Sequence, residues 1–261
     1  MRRLRHWIAN RGWKGTFLEA WRLLKVKLRR KRSGAEPAAE TAVAAAPPPE
    51  VHPFDQRYGV ETGGLIWGER LRSEEKGGYW ATGYYGISPS VLWQAFDRLA
   101  LDWPSFTFID IGCGKGRALM LALKYPFRRV LGVELSAELA NLARENLERF
   151  RADWRQEVPA EAIAGDATNV ELPAGPLLLY LYHPFAAPVM IPFLKHVHEA
   201  MARKPREIYL VYINPELDTL LGRSAFLEKL WKECFPLLGE DAGADRFGSR
   251  QEYVSVYRFV G

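Results

Sequence analysis

The chain has 261 residues, and its 48% hydrophobic and 13% aromatic content is enough for one sizeable core plus an appendage. The formal net charge of +5 is uneven, because residues 1–32 hold twelve Lys and Arg against Glu19, which leaves 24 basic and 30 acidic residues elsewhere. This acidic main body gives no indication of a nucleic-acid groove. Two cysteines, Cys113 and Cys234, exclude a disulfide framework and a cysteine-rich metal site, and they favour a reducing, cytoplasmic setting.

The first 32 residues predict a basic amphipathic helical segment, since apolar side chains recur at three- and four-residue steps between Arg and Lys. These apolar positions are Leu4, Trp7, Ile8, Phe17, Trp21, Leu24 and Leu28. Such a segment fits an anionic membrane surface or an acidic partner. A helix docked on the domain and a transit peptide are the alternatives.

Residues 33–50 are rich in Ala and Pro, which predicts a disordered or extended linker before a domain at 51–261. Residues 51–87 combine little periodicity with many Gly and aromatic residues, so we expect loops that cover a ligand, or else irregular packing against a sheet. The candidate substrate or lid residues here are Glu61, Thr62, Tyr84 and Tyr85. Ser88 followed by Pro89 then predicts the start of a helix.

The stretch from Phe106 to Leu119 predicts a strand, a glycine-rich turn and a helix in direct succession. Glycines at 112, 114 and 116 allow the backbone to turn tightly and to come close to a ligand. Free N–H groups at the start of the following helix attract a polar or anionic group. The stretch therefore predicts a cofactor-binding loop.

Two further acids follow apolar runs at the right places for this interpretation. Glu134 closes the run 130–133, and it lies 24 positions after Asp110, which suits an acid that binds ribose hydroxyls at the end of the second strand. Asp166 follows the third run, Ile163-Ala164-Gly165. Between them, Ser136 is expected to cap a second helix.

The later part of the chain continues the alternation of strands and helices. The apolar runs Leu177–Tyr182 and Ile208–Ile213 predict buried parallel strands. Helices are expected around residues 188–203 and 216–234, and a last strand at 253–260. This order predicts an α/β fold with a doubly wound, mostly parallel sheet.

Read in order, the segments FIDIGCGKG, GVE and GDA resemble the signature of the class I, seven-stranded S-adenosylmethionine-dependent methyltransferases over residues 79–260. Residues 58–64 and 84–89, with GCGKGRAL and YHPF, are similar to a little-characterised bacterial branch of that family. A more distant similarity is to the non-SET protein-lysine methyltransferases. The resemblance implies a Rossmann-like sheet with an antiparallel last strand, and S-adenosylmethionine as cofactor.

The resemblance also implies roles for the loop and the acids. The backbone of Gly112, Cys113 and Gly114, in a turn completed by Gly116, would lie along the methionine end of the cofactor. Asp110 would orient the cofactor's amino group, Glu134 would accept the ribose hydroxyls, and Asp166 would accept the adenine amino group near the Ala167 N–H.

Tyr182-His183-Pro184-Phe185 ends the fourth strand, where ligands bind in open sheets. Many amino-methylating relatives have Asn or Asp followed by two prolines here, so the present sequence argues against nucleic-acid base methylation and leaves the acceptor open. His183 and Tyr182 are the candidate catalytic residues, with His183 as a base near neutral pH or as part of the pocket wall, and Phe185 is a candidate substrate contact. A non-catalytic histidine with satisfied hydrogen bonds is the alternative.

These patterns predict an S-adenosylmethionine-dependent methyltransferase that modifies a nitrogen of a protein side chain, of the lysine type. A small-molecule methyltransferase and a non-catalytic cofactor-binding module are the alternatives. A nicotinamide dehydrogenase would need glycine at position 117, where this chain has Arg117. No metal is required, a nucleic-acid partner is not expected, and the cytoplasmic location would include contact with the membrane surface through residues 1–32.

Overall fold

The computed structural model describes residues 51–71, 78–153, 157–245 and 249–261. Val51–Gly261 form one compact unit. The amphipathic segment expected at 1–32 and the linker expected at 33–50 lie outside the described residues. Among the helices that are described, none is both long enough and apolar enough to cross a lipid bilayer.

In the described part of the chain, nine strands form two sheets. They are β1 (Leu65–Trp67), β2 (Gly83–Tyr85), β3 (Thr107–Ile111), β4 (Arg129–Glu134), β5 (Ala160–Ala164), β6 (Leu177–Tyr182), β7 (Ile208–Ile213), β8 (Leu227–Pro236) and β9 (Gln251–Phe259). β1 and β2 pair as a small antiparallel sheet, and the other seven form the main sheet in the order β5-β4-β3-β6-β7-β9-β8. β9 runs antiparallel to both β7 and β8, whereas the first five strands of that order are parallel.

The helices are α1 (Pro53–Tyr58), α2 (Gly68–Leu71), α3 (Pro89–Asp97), α4 (Arg117–Ala122), α5 (Ala137–Asp153), α6 (Ala187–Arg203), α7 (Asp218–Leu221) and α8 (Glu240–Ala244). Short 3-10 turns lie at Gly78–Trp80 and Trp103–Ser105. Ser136 caps α5 as expected, since its Oγ accepts a hydrogen bond from the Leu139 N–H at 3.3 Å. Ser88 stands at the N-cap of α3, but its side chain makes no capping hydrogen bond.

Both faces of the main sheet are covered, as a doubly wound fold requires. Phe108 and Ile109 are neighbours on β3, yet they belong to two separate apolar clusters because successive side chains of a strand point to opposite faces. Strands buried on both faces are apolar without interruption, which is why β6 and β7 have the bounds that the sequence predicts. The predicted α/β fold with a mostly parallel seven-stranded sheet is confirmed.

The prediction of a helix at residues 216–234 is wrong. Only Asp218–Leu221 is helical, and Leu227–Pro236 is β8, the edge strand that pairs with β9 alone. The register shifts between Lys229 and Trp231, which interrupts the alternation that identifies a strand and leaves apolar residues at helix-like intervals. Both antiparallel pairings of the main sheet involve β9, so β9 alone runs against the other six strands, and the antiparallel last strand that the resemblance implies is confirmed.

Candidate functional site

A cavity opens at the carboxyl ends of the parallel strands β3, β4, β5 and β6. Its wall brings together residues from distant parts of the sequence, which include Asp110, Gly112, Cys113, Gly114, Glu134, Asp166, Ala167, Tyr182 and Phe185. Tyr84 and Tyr85, at the end of the small sheet, line it as well. This is the edge where open α/β sheets bind their ligands, and most of the predicted site residues meet there.

The glycine loop has the backbone conformation that only glycine adopts without strain. Gly112, Gly114 and Gly116 have φ values of 78°, 52° and 85°. A Cβ atom at position 112 would lie 2.5 Å from Cβ of Pro184, so the loop passes close to the end of β6. Gly116 is different, because a Cβ there would meet Ala143 of α5 at 3.1 Å, and Gly116 is not part of the cavity wall.

Glu134 ends β4 and fixes the glycine loop from the opposite side. Its Oε2 accepts a hydrogen bond from the Gly114 N–H at 2.8 Å, and its Oε1 accepts one from the Ser136 N–H at 3.0 Å. Burial raises the pKa of this carboxyl, and these backbone hydrogen bonds oppose the rise. Each carboxylate oxygen has a second lone pair, so Glu134 can still accept hydrogen bonds from ligand hydroxyls.

The inner end of the cavity holds buried polar groups that suit the polar end of a ligand. Burial, together with the nearby charge of Glu134, raises the pKa of Asp110 well above its usual value. The hydroxyl of Tyr180, which also lines the cavity, is buried and has no hydrogen-bond partner within the described part of the chain. Burying a hydroxyl without a hydrogen-bond partner costs free energy, and a donor or acceptor on a bound ligand would remove that cost. Cys113 is buried, and burial raises the pKa of its thiol, so it is no reactive thiolate.

Asp166 follows β5, where the sequence places the third acid. Its Oδ1 accepts hydrogen bonds from the backbone N–H and the hydroxyl of Thr168, both at 2.8 Å. This local turn holds Gly165, Asp166 and Ala167 against the cavity. The Asp166 carboxylate and the Ala167 backbone therefore both lie in the cavity wall, where a bound ligand could contact them.

The two other predicted substrate residues, Glu61 and Thr62, do not line the cavity. Glu61 accepts a hydrogen bond from Lys115 Nζ at 2.9 Å, and its side chain is mostly exposed. Thr62 is fully buried, and its backbone carbonyl accepts a hydrogen bond from the Tyr84 hydroxyl at 2.6 Å. Both residues hold the start of the described domain, around residues 61–62, against the glycine loop and Tyr84 instead of lining the cavity.

Arg117 is a residue of the site whose structural role the sequence did not reveal. It is the first residue of α4, it is only 3% exposed, and it lies in the cavity wall. Its guanidinium donates to Thr62 Oγ1 at 2.7 Å and to the Ile87 carbonyl at 3.2 Å, and it lies 3.4 Å from Asp55 Oδ1. An arginine beside the glycines, with an acid some sixty positions upstream, is too general a pattern to predict this pair.

Tyr182 and His183, the predicted catalytic residues, point to different places. Tyr182 lines the cavity, but His183 does not. His183 Nδ1 lies 2.6 Å from the Tyr212 hydroxyl, and its Nε2 lies 3.5 Å from Glu216 Oε2. Burial lowers the pKa of His183 to about 4, so the imidazole is neutral at physiological pH instead of titrating near neutrality as expected.

Comparison with known proteins agrees with this geometry. Residues 108–204 match a family model described as a methyltransferase domain. The chain is 35% identical over 75 residues to the ribosomal protein L11 methyltransferase of Burkholderia thailandensis, which covers 26% of this chain and 25% of the relative. It is 36% identical over 89 residues to the trans-aconitate 2-methyltransferase of an Azoarcus species, with 31% and 35% covered. The matches thus span about a quarter to a third of the relatives' length.

Among solved structures, a SAM-dependent methyltransferase from Aquifex aeolicus has a TM-score of 0.48 at 13% identity, with 74% of this chain and 97% of that one covered. The matched residues 108–204 include the glycine loop, Glu134 and Asp166. The cavity wall combines glycines of positive φ with the acids Asp110, Glu134 and Asp166. Residues 108–204 of this chain thus match a methyltransferase domain, and shorter stretches of the chain are similar to two bacterial methyltransferases.

Proposed function

We propose that this protein transfers a methyl group from S-adenosylmethionine to a nitrogen atom of a protein side chain, of the lysine type. The observation that carries the proposal is the single cavity in which the glycine loop, Glu134 and Asp166 meet Tyr182 at the end of β6. When bound, S-adenosylmethionine supplies a methyl group activated by a positively charged sulfur. Displacement at that carbon needs no metal and no covalent enzyme intermediate, so the protein contributes position and exclusion of water.

Each end of the cavity would hold a different part of the cofactor. Glu134 would accept hydrogen bonds from the ribose hydroxyls, and Asp166 with the Ala167 N–H would contact the adenine ring. Asp110 and the unpartnered Tyr180 hydroxyl would contact the amino-acid end. Tyr84 and Phe185 would shield the reacting atoms from water.

Three observations bear on the acceptor. The end of β6 reads Tyr182-His183-Pro184-Phe185 and lacks the Asn or Asp with two prolines of many amino-methylating relatives, which argues against base methylation. One relative acts on a protein, ribosomal protein L11, which favours a protein acceptor. The trans-aconitate relative supports a small-molecule acceptor as the second candidate. A non-catalytic cofactor-binding module is the third candidate, and the complete set of acids argues against it.

The cofactor is tested by calorimetry of the full-length protein with S-adenosylmethionine, S-adenosylhomocysteine and NAD. We expect binding of the first two and none of NAD, and the reverse would disprove the proposal. The acceptor is tested by incubation of a bacterial lysate with the enzyme and a methyl-labelled cofactor. Label in the protein fraction supports a protein acceptor, whereas label confined to the low-mass fraction supports the small-molecule alternative. Binding without transfer to either fraction would support the non-catalytic module.

We further propose that the protein is cytoplasmic and that residues 1–32 hold it at an anionic membrane surface. The support is the charge of this segment, twelve basic residues against one acid, together with Trp7, Trp13, Phe17 and Trp21. Each basic residue near an anionic leaflet contributes roughly 1 kcal/mol. Full-length protein should co-sediment with anionic vesicles and not with neutral ones, whereas a 33–261 variant should stay in solution. Equal behaviour of the two proteins, or retention on duplex DNA alone, would contradict this proposal.

A further inference from the structure

Glu252 is a buried acid that the proposed cofactor contacts do not use. It lies near the start of β9, is 6% exposed, and faces the same edge of the sheet as the cavity, because β9 runs antiparallel to β7. Its Oε1 lies 3.5 Å from Ser88 Oγ, and its Oε2 has no hydrogen-bond partner within the described residues. Since an unpartnered buried carboxylate oxygen is costly, its presence needs an explanation.

Tyr182 connects this carboxyl to the cavity. Tyr182 belongs to the cavity wall and lies on the same face of the sheet as Glu252. The strand register shows this, because Tyr182 pairs with Ile213, which pairs in turn with Val254, two residues after Glu252 on β9. Asn214 Nδ2 donates to the Tyr182 hydroxyl oxygen at 3.4 Å. The Oε2 atom of Glu252 is open to accept a hydrogen from the Tyr182 hydroxyl, and a phenol that donates in this way keeps the lone pairs of its oxygen available to a donor in the cavity. The arrangement is a short chain from the cavity through Tyr182 to Glu252.

The groups that surround the Glu252 carboxyl come from several elements. They are Ser88 before α3, Tyr182 and Tyr180 on β6, Phe235 opposite on β8, Asp241 on α8, and Asp245 after it. Burial and the charges of the two aspartates raise the pKa of Glu252 to about 7, and the hydroxyls of Tyr182 and Ser88 oppose the rise. Such a carboxyl exchanges a proton near neutral pH, whereas His183 stays neutral and contacts Tyr212.

We propose that Glu252, acting through Tyr182, accepts the proton that an ammonium group of the substrate must lose before methylation. This inference rests on the proposed transfer to an amine. The N–H bond of the ammonium breaks, and its proton passes to the Tyr182 oxygen. The Tyr182 O–H proton passes to the Glu252 carboxylate, so the phenol stays neutral and the nitrogen keeps the lone pair that it needs for attack. The protonated carboxyl later returns its proton to solvent. Tyr182 contacts the substrate, and Glu252 is a positioning residue that acts through it.

The test needs no knowledge of the acceptor. Sinefungin is a cofactor analogue that carries an amine where the transferred methyl group would be, and S-adenosylhomocysteine carries no charge there. Calorimetry of the full-length protein should give tighter binding of sinefungin than of S-adenosylhomocysteine. The ratio of the two affinities should grow from about pH 6 to about pH 8 as Glu252 ionises. Glu252→Gln and Tyr182→Phe should each lose roughly fivefold or more of this preference and its pH dependence, while S-adenosylhomocysteine binds within about twofold.

Ser88→Ala is the matched control, since it alters the surroundings of Glu252 at a contact of 3.5 Å but leaves Tyr182 in place, and it should keep the pH-dependent preference. Circular dichroism checks that each variant folds, and Tyr182→Phe decides the test if Glu252→Gln does not fold. An unchanged sinefungin preference in a folded Glu252→Gln or Tyr182→Phe protein overturns the inference. A wild-type protein that binds neither analogue overturns the proposed function instead, and the inference with it.

Discussion

The ring of Tyr84 lies directly over Gly114, so that a Cβ atom at position 114 would be 2.2 Å from Cδ2 of the tyrosine. The ring has little freedom to move away, because it is buried and its hydroxyl donates to the Thr62 carbonyl at 2.6 Å. Gly114 also has a positive φ of 52° and donates its N–H to Glu134. Tyr84 thus holds the glycine loop in the conformation that Glu134 contacts from the other side.

Gly114→Ala should therefore destabilise the protein by about 1–3 kcal/mol through backbone strain and overpacking. It should also weaken cofactor binding, since the ring or the loop must shift. Urea unfolding and calorimetry measure the two effects. Gly243→Ala is the control, because a Cβ there has nothing within 4 Å and φ is not positive. If Gly114→Ala had the same free energy of unfolding and the same cofactor affinity as the wild type, the Tyr84 ring would be free to move.

Glu134→Ala should weaken S-adenosylmethionine binding by about 1.5–3 kcal/mol, because it removes a charged acceptor and leaves two backbone N–H groups without their partner. Isothermal calorimetry measures the loss directly. Glu138→Ala removes an exposed carboxylate four residues later, in the first turn of α5, and should bind as the wild type does. Unchanged affinity in Glu134→Ala would mean that this acid does not contact the ribose.

Arg117→Met should destabilise the fold by about 3–5 kcal/mol, because it leaves the Asp55 carboxylate buried without its cation. The double variant with Asp55→Asn should lose less than the sum of the two single losses, since the pair acts as a unit. The control is Arg258→Met, whose partner Glu228 is half exposed, so the expected loss of stability is much smaller than for Arg117→Met. Strictly additive losses in urea unfolding would show that Arg117 and Asp55 are not coupled.

The raised pKa of Glu252 makes a prediction about stability and pH. The pKa of the Glu252 carboxyl is about 7 in the folded protein, against an ordinary value of 4.5. Protonation of this carboxyl therefore favours the folded state, and this contribution to stability is lost as the pH rises through about 7. Relative to Glu252→Gln, the wild type should lose up to about 3 kcal/mol between about pH 4.5 and pH 8. Urea unfolding of both proteins across this range measures it, and parallel curves would contradict it.

Asp218 supplies a contrast of opposite sign. Burial raises the pKa of its carboxyl, but hydrogen bonds from Lys229, Tyr257, Ser255 and Lys232 outweigh burial and hold the pKa below the usual value. The stability that Asp218 contributes is therefore present above its ordinary pKa and lost as pH falls. The stability difference between wild type and Asp218→Asn should therefore shrink as the pH falls. In contrast, the wild type should lose stability relative to Glu252→Gln as the pH rises.

The parts of the fold that the sequence predicted are those with a strong local signal. β6 and β7 are apolar without interruption because both of their faces are buried, and glycines at 112 and 114 mark positive φ. β8 was mistaken for a helix because it is an edge strand with a register shift, and its half-exposed side chains follow no period of two. Its place in the sheet depends on pairing with β9, which no local pattern reveals.

For the site, the sequence by itself determined where a cofactor would bind, because the glycine loop and the acids that end β4 and β5 are short-range patterns set by backbone geometry. Only the tertiary structure decided which of the two candidate catalytic residues lines the cavity. Tyr182 and His183 are neighbours at the end of β6, but Tyr182 lines the cavity beside Glu252 of β9 while His183 contacts Tyr212 of β7. Successive side chains take opposite directions there, and what each one meets depends on strands that are distant in the sequence and become neighbours only in the folded sheet.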